Sequence, residues 1–114
     1  MDWQIEYYTD AMGVEPVKEF INTQSLDAQV EIFHVIGLLE EFALNLRHPY
    51  VLKIGKTGIR ELRIHHSSDY YRIFYFAFAG RRFVLLHAFL KKTGKTPKGE
   101  LGIAVKRMNE YKQC

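Results

Sequence analysis

The sequence predicts a single α+β domain, a small, twisted antiparallel sheet with its helices packed on one side. Two observations support this class. Apolar residues recur at helical spacing before residue 47 and after residue 97, whereas residues 59–89 form runs that alternate or stay apolar, as strands do. The predicted order is strand, two helices, three strands and a final helix. The 114 residues, 47% of them hydrophobic, suffice for one domain (residues 1–114) with its own core.

The first half of the chain is predicted to hold one strand and two helices. Residues 3–7 alternate between apolar and polar side chains, as in a strand. Residues 15–23 form a short helix with Pro16 in its first turn, and Ser25 is a suitable N-cap for a longer helix that ends near Leu46. The apolar stripe predicted to face the core from this longer helix comprises Leu26, Val30, Phe33, Leu39, Phe42 and Leu46.

The second half is predicted to be a three-stranded meander followed by a helix. Residues 50–58 form a loop or an edge segment, and strands over 59–65, 70–78 and 82–89 are joined by hairpins at Ser67-Ser68-Asp69 and Ala79-Gly80-Arg81. The middle strand is nearly apolar throughout, which indicates cover on both faces. Thr96 is the predicted N-cap of the last helix, with Pro97 at its first position.

The last helix has an apolar side and a basic side. Its predicted buried stripe is Leu101, Ala104, Val105, Met108 and Tyr111. The basic residues predicted to face away from the sheet are Lys98, Lys106, Arg107 and Lys112.

Charge is unevenly distributed along the chain. Residues 1–52 contain nine acidic and two basic residues, a balance of −7, whereas residues 53–114 contain fourteen basic and four acidic residues, a balance of +10. Such asymmetry predicts a basic surface for nucleic acid or another polyanion.

The single cysteine excludes a disulfide framework within the chain. Neither a signal peptide nor a membrane-spanning run is evident, so a cytoplasmic location without membrane association is expected.

Strand alternation gathers candidate functional residues on one face. Glu61, Arg63 and His65 share a face of the first meander strand, and Arg63 is expected to neighbour Arg72 across the hairpin. On the third strand, the residues predicted to share one face are Phe83, Leu85, His87 and Phe89, with Lys91 at the same parity.

Each candidate also has a structural interpretation. Arg72 could be a structural arginine paired with Glu61 or Asp69, and His87 a packed, hydrogen-bonded core residue rather than a base. The lysines after the last strand, Lys91, Lys92 and Lys95, could be a solvated strand end. The pair His65-His66 lacks a third ligand at useful spacing, so neither a metal nor another cofactor is predicted.

Several segments in order resemble the HigB-type, phage-associated branch of the RelE/ParE toxin superfamily. The matching pieces are Glu61-Leu62-Arg63, Tyr71-Arg72-Ile73-Phe74-Tyr75, Leu86-His87-Ala88-Phe89, Lys91-Lys92-Thr93 and Thr96-Pro97. The order of elements also agrees with the RelE/ParE-like fold, and the similarity covers nearly the whole chain.

The resemblance implies the toxin of a type II toxin–antitoxin system, a metal-independent endoribonuclease that cuts messenger RNA on the ribosome. It also implies a helix-turn-helix, HigA-like antitoxin as partner. By similarity, Arg63, Arg72, Lys91 and Lys92 are the cationic catalytic positions, and Glu61 and His87 are candidates for proton transfer. Residues expected to contact RNA are Arg60, Lys95, Tyr71 and Arg82. Some family members carry a late catalytic tyrosine, whereas Tyr111 lies on the apolar stripe here, which leaves the general acid and base unassigned.

Two other functions share this fold. One is a ParE-like, non-enzymatic inhibitor of DNA gyrase, and the other is an inactive prophage remnant that only binds its antitoxin. The basic cluster favours the nuclease. Arg72 is expected to be held open for the scissile phosphate, so Arg72→Ala is predicted to abolish growth arrest, stay folded and still bind the antitoxin. A structural Arg72 would instead be paired with Glu61 or Asp69, and its loss would weaken the fold.

Overall fold

The computed structural model describes residues 2–92 and 97–113, which form an open five-stranded sheet with helices on both faces. In chain order the elements are β1 (Gln4–Tyr7), α1 (Pro16–Asn22), α2 (Leu26–Phe42), a 3₁₀ turn (Ala43–Asn45), β2 (Val51–Lys53), β3 (Arg60–His66), β4 (Asp69–Phe78), β5 (Arg82–Leu90) and α3 (Lys98–Lys112). The α+β class and the predicted order are confirmed, and the segment predicted to be a loop or an edge contributes the short edge strand β2.

The sheet is mixed, with the strand order β1-β5-β4-β3-β2. The meander β3-β4-β5 is antiparallel, and β2 extends it antiparallel to β3. At the other edge β1 runs parallel to β5, where the sequence predicted an antiparallel sheet. Both hairpin predictions are confirmed, because Ser67, Gly80 and Arg81 have the positive φ angles that tight turns between antiparallel strands require.

Two helices pack on one face of the sheet and the third on the other, whereas the sequence predicted all of them on one side. Val17 of α1 and Ile32 of α2 pack against Leu62, Ile73 and other residues of one face. On the opposite face the core side chains of α3 and the sheet are Ala104, Met108, Phe74, Phe76, Val84 and Leu86. The middle strand β4 is therefore covered on both faces, as its apolar sequence predicted.

The helix starts agree partly with the sequence. Ser25 caps α2 by accepting a hydrogen bond from the backbone N–H of Ala28 at 3.2 Å. Pro97 is the N-cap of α3 rather than its first residue, and the predicted N-cap Thr96 lies outside the described residues. The α-helix of α2 ends at Phe42, four residues before the predicted end, because Ala43 adopts a positive φ angle and a 3₁₀ turn follows.

The buried stripe predicted for α2 is wrong. Leu26 is 78% exposed and Val30 70%, and Phe33 and Phe42 are also exposed. The helix buries a different stripe, which consists of Ala28, Ile32, Val35, Ile36 and Leu39. Of the predicted residues, Leu39 belongs to this stripe, and Leu46, which follows the helix, is buried in the same core as predicted. The helix α2 therefore presents apolar side chains both to the core and to solvent.

A β-bulge in β5 overturns the prediction that four of its residues share a face. Tyr75 pairs with Leu85 and Phe74 with His87, so Leu86 is an extra residue without a partner on β4. The bulge reverses the alternation. Phe83 and Leu85 therefore lie with α1 and α2, whereas Phe89 lies with α3, and pairing with Phe74 puts His87 on that face as well.

The two stripes of α2 predict different losses of stability when a valine in each is replaced by alanine. Val35→Ala removes buried apolar surface and is expected to lower the free energy of unfolding by about 1.5–3 kcal/mol. Val30→Ala removes exposed surface only and is expected to change it by less than about 0.5 kcal/mol. Chemical denaturation of both variants measures the difference, and equal losses would contradict the orientation of α2.

Candidate functional site

Strand register places the two central arginines directly opposite each other. Arg63 of β3 pairs with Arg72 of β4, which confirms the predicted contact across the hairpin. Arg72 in turn pairs with Phe89 of β5. The adjacent row contains His65 and Tyr70, which pair with each other. These rows lie on the same face of the sheet as α3, near the end of the sheet where the β3-β4 hairpin turns.

A buried carboxylate lies beside the two arginines. Glu61 is fully buried, and its Oε1 atom lies 3.2 Å from Nε of Arg63 and 3.2 Å from Nε of Arg72. The Arg63 N–H donates a hydrogen bond to it, whereas the Arg72 N–H is not aligned for one. The Oε2 atom of Glu61 has no hydrogen-bond donor among the described residues. Glu61 therefore offsets one of the two neighbouring positive charges, and its second oxygen has no donor in the described part of the chain.

Arg72 is buried and Arg63 is not. Arg72 is 8% exposed, and its Nη1 donates to the backbone oxygen of Tyr71 at 3.0 Å. Burial lowers the pKa of Arg72, and although Glu61 opposes this shift, Arg63 adds to it. This is the arrangement expected of a structural arginine. The side chain of Arg63 keeps 28% of its surface exposed, which makes it the guanidinium of the pair that solvent can reach.

A cleft of about 330 Å³ opens beside these residues. It lies at the hairpin end of β3, next to the loop before β2 and the side of α2. The residues that line it are Glu31, Val35, Pro49, Tyr50, Arg63, Ile64, His65, Tyr70 and Arg72. Both arginines of the pair thus border one opening, together with aromatic side chains.

Two rings form a stack in this cleft. The imidazole of His65 lies parallel to the ring of Tyr70, with centroids 4.4 Å apart and 3° between the planes. The Arg72 guanidinium lies 5.8 Å from the centroid of the same tyrosine ring. Tyr70 is 46% exposed, so solvent reaches much of this residue at the stack. The sequence places His65 on the face of Glu61 and Arg63, and alternation along β4 puts Tyr70 there as well, but neither residue was assigned a role in the predicted site.

His87 is enclosed by α3 rather than open to a substrate. Its Nε2 lies 3.0 Å from Oε1 of Glu100, and its Nδ1 lies 3.2 Å from Nη1 of Arg107. Since a guanidinium only donates, Nδ1 accepts and the proton is on Nε2, which donates to Glu100. Arg107 also donates to the backbone oxygen of Leu86, so the prediction that Arg107 faces away from the sheet is wrong. Both ring nitrogens of His87 are used in fixing α3 to β5.

Lys91 lies at the end of the arginine face. The backbone N–H of Lys91 donates to the oxygen of Tyr70 at 2.8 Å, which extends the row of His65 and Tyr70 to a third residue. Lys91 is half-buried and Lys92 is exposed. Lys95 lies outside the described residues.

Three residues predicted to contact RNA lie away from the cleft opening. Tyr71 is buried on the opposite face, where its hydroxyl donates to Gln24, and burial raises its pKa. Arg82 begins β5, about 25 Å along the sheet from Tyr70, and contacts Glu6 and the Tyr111 hydroxyl.

The third residue, Arg60, pairs in register with Tyr75 and borders a separate basic depression with Lys53 and Lys56.

Within the described ranges 2–92 and 97–113, no group of three or more His, Cys, Asp or Glu side chains is placed to hold a metal. No helix in this part of the chain is both long and apolar enough to cross a bilayer.

Comparison with known protein families matches most of this chain. The family model described as "Phage derived protein Gp49-like" (DUF891) matches residues 19–109 and therefore most of the chain. The matched segment includes the whole β3-β4 hairpin, the arginine pair and most of α3. No curated protein matches the chain at a significant level.

The geometry of Arg72 predicts a loss of stability when it is removed. Arg72→Ala takes away one partner of a buried ion pair and is expected to lower the free energy of unfolding by about 3 kcal/mol or more. Arg63→Ala, which removes the partly exposed guanidinium but leaves Arg72 beside the same carboxylate, is the comparison variant and is expected to cost less, about 1–3 kcal/mol, for the lost hydrogen bond to buried Glu61. Urea denaturation of both variants tests this, and an Arg72→Ala protein as stable as the wild type would show that the pair contributes nothing.

Proposed function

The chain belongs to the Gp49-like family of phage-derived, RelE-type toxin-like proteins, and on this basis we propose that it is an endoribonuclease toxin. In this proposal it is the toxin of a type II toxin–antitoxin pair, acts in the cytoplasm and cuts messenger RNA on the ribosome. The observation that carries the proposal is the cleft, where a solvent-accessible arginine, a buried arginine and an exposed aromatic stack border one opening.

The reaction proposed is attack of a ribose 2′-OH on the adjacent phosphate. The 2′-oxygen bonds to phosphorus, the 5′-oxygen of the next nucleotide leaves, and the products are a 2′,3′-cyclic phosphate and a 5′-OH end. A cation at the phosphate stabilises the charge that develops on its oxygens, and groups nearby must accept one proton and donate another.

Arg63 is the residue we assign to the scissile phosphate. Its guanidinium is partly exposed in the cleft, and Glu61 orients it through the hydrogen bond from Nε. Arg72 and Glu61 are then positioning residues, since both are buried and paired with each other. Lys91 and Lys92 add positive charge at the end of the same face, where the strand of RNA would leave the sheet.

The aromatic stack suits a nucleotide base. Tyr70 is nearly half exposed at the stack, and bases stack on aromatic side chains without sequence preference. His65 is placed in the same cleft, and imidazole is the side chain best suited to exchange protons near neutral pH. We therefore assign the proton transfer to His65 in preference to His87, because Glu100 and Arg107 engage both nitrogens of His87.

Arg63→Ala is the first test of this assignment. Loss of one contact made to the transition-state charge is expected to reduce RNA cleavage by about 10²-fold or more while the protein stays folded. Lys106→Ala, which removes a positive charge from the exposed side of α3, is the matched control and should cleave like the wild type. Induced expression followed by mapping of 5′-OH ends in cellular RNA measures the effect.

The same experiment separates the proposal from its alternative. Codon-spaced cuts in translated messages that disappear in Arg63→Ala are the expected result. Intact RNA accompanied by DNA damage would instead assign the protein to gyrase inhibition, and wild-type cleavage by Arg63→Ala would remove Arg63 from the site.

Tyr70 gives a second test, which concerns binding rather than the chemical step. Tyr70→Ala removes the stacking face and is expected to weaken RNA binding by about 1–3 kcal/mol. Tyr70→Phe keeps the ring and should bind like the wild type. Binding of a short, non-cleavable single-stranded RNA with 2′-deoxy nucleotides measures both, and an equal loss in the two variants would mean that the hydroxyl, not the ring face, is what matters.

A further inference from the structure

The outward face of α2 carries an apolar stripe that the protein's own core does not use. Leu26, Val30 and Phe33 are 78%, 70% and 44% exposed, and they follow each other at spacings of four and three residues. This spacing aligns them along one side of a helix, and Gly37 continues the line four residues later. From Leu26 to Gly37 the stripe is about 16 Å long. That length and spacing match the side that one helix presents to another.

Gly37 supports the same interpretation. Glycine is the least favourable residue in a helix interior after proline, so its presence in α2 needs a reason. A Cβ atom built on Gly37 meets nothing within 4 Å, and therefore no contact inside the described protein requires a glycine there. A residue without a side chain on an apolar stripe allows the backbone of a neighbouring helix to approach closely.

Acidic residues lie beside the stripe. Asp27 flanks its start, and Glu40 and Glu41 flank its end. Lys18, which precedes α2, and Arg47, which follows it, are the only basic residues among residues 1–52. Two copies of this chain that met through α2 would bring these carboxylates together, whereas a helix with Lys or Arg beside its apolar side chains would complement them.

We propose that the outward stripe of α2 (Leu26, Val30, Phe33 and Gly37) is a docking surface for an amphipathic helix of another protein, flanked by lysine or arginine residues. The occupant is a helix of the antitoxin, and this identification rests on the proposed function. The surface is separate from the arginine face, so the antitoxin binds α2 whether or not it also contacts the cleft.

The test uses the purified product of the gene adjacent to that of the toxin, with binding to the full-length chain measured by titration calorimetry. Gly37→Leu adds a side chain to the outward stripe at a position where a Cβ meets nothing in the free chain, and it would hold the partner helix away. It is expected to weaken binding about ten-fold or more. Gly102→Leu makes the same change at an exposed, unobstructed position on α3 and should bind like the wild type. Asp27→Lys with Glu41→Lys is expected to weaken binding further and to reduce its dependence on salt.

Each other outcome overturns the proposal. Unchanged binding by Gly37→Leu would place the antitoxin elsewhere. Tighter binding by the variant with Asp27→Lys and Glu41→Lys would mean that the partner helix carries acidic rather than basic flanking residues. No binding of the neighbouring protein to the wild type would remove the partner, and a wild-type dimer that Gly37→Leu dissociates would assign the stripe to a second copy of the chain. RNA cleavage by the isolated toxin is measured separately, so failure of the docking surface and failure of the nuclease proposal are distinguishable.

Discussion

The central sheet needs cover on both faces, and α3 covers only part of one of them. Its first turn meets β5 at His87 through Glu100, and its last turn reaches the start of β5 through Tyr111 and Arg82. Among the described residues, the rows of Arg63 with Arg72 and of His65 with Tyr70 lie past the first turn of α3, and part of their surface stays open, since Tyr70 is 46% exposed and the Arg63 side chain 28%. The part of a sheet face that contacts water must be polar, and here it carries a cation and a half-exposed ring. The position of α3 therefore fixes where the site can be.

The arginine pair creates an electrostatic problem that Glu61 resolves. Two guanidinium groups in direct cross-strand register repel each other, and one of them is almost fully buried. The buried carboxylate within 3.2 Å of both provides the opposite charge, at the cost of its own desolvation and one unsatisfied oxygen. Such an arrangement is poorly justified as a source of stability alone. It becomes reasonable if the face must present positive charge to a phosphate at a fixed position.

The meander and the arginine pair were predictable because they depend on local rules. Two tight turns and a period of two set the register from Arg60 as far as Leu85, and the pairing of Arg63 with Arg72 follows directly. The face of α2 was not predictable, because the helix carries two apolar stripes and periodicity cannot decide which of them meets the sheet. The stripe rich in β-branched residues is the buried one. The bulge at Leu86 and the contacts of Arg82 with Glu6 were also invisible, since both depend on residues far apart in the chain.

Charge segregation along the chain becomes segregation in space. The acidic residues of α2 lie on one side of the molecule and the arginine pair on the other face of the sheet, yet the two surfaces meet at one place. Glu31 and Val35 belong to α2 and also line the cleft, which brings the helix to the rim of the site. Val35 is at the same time a core residue that fixes α2 against the sheet. A partner that binds the outward side of α2 thus stands beside the cleft without occupying it, and any displacement of α2 would move one wall of the opening directly.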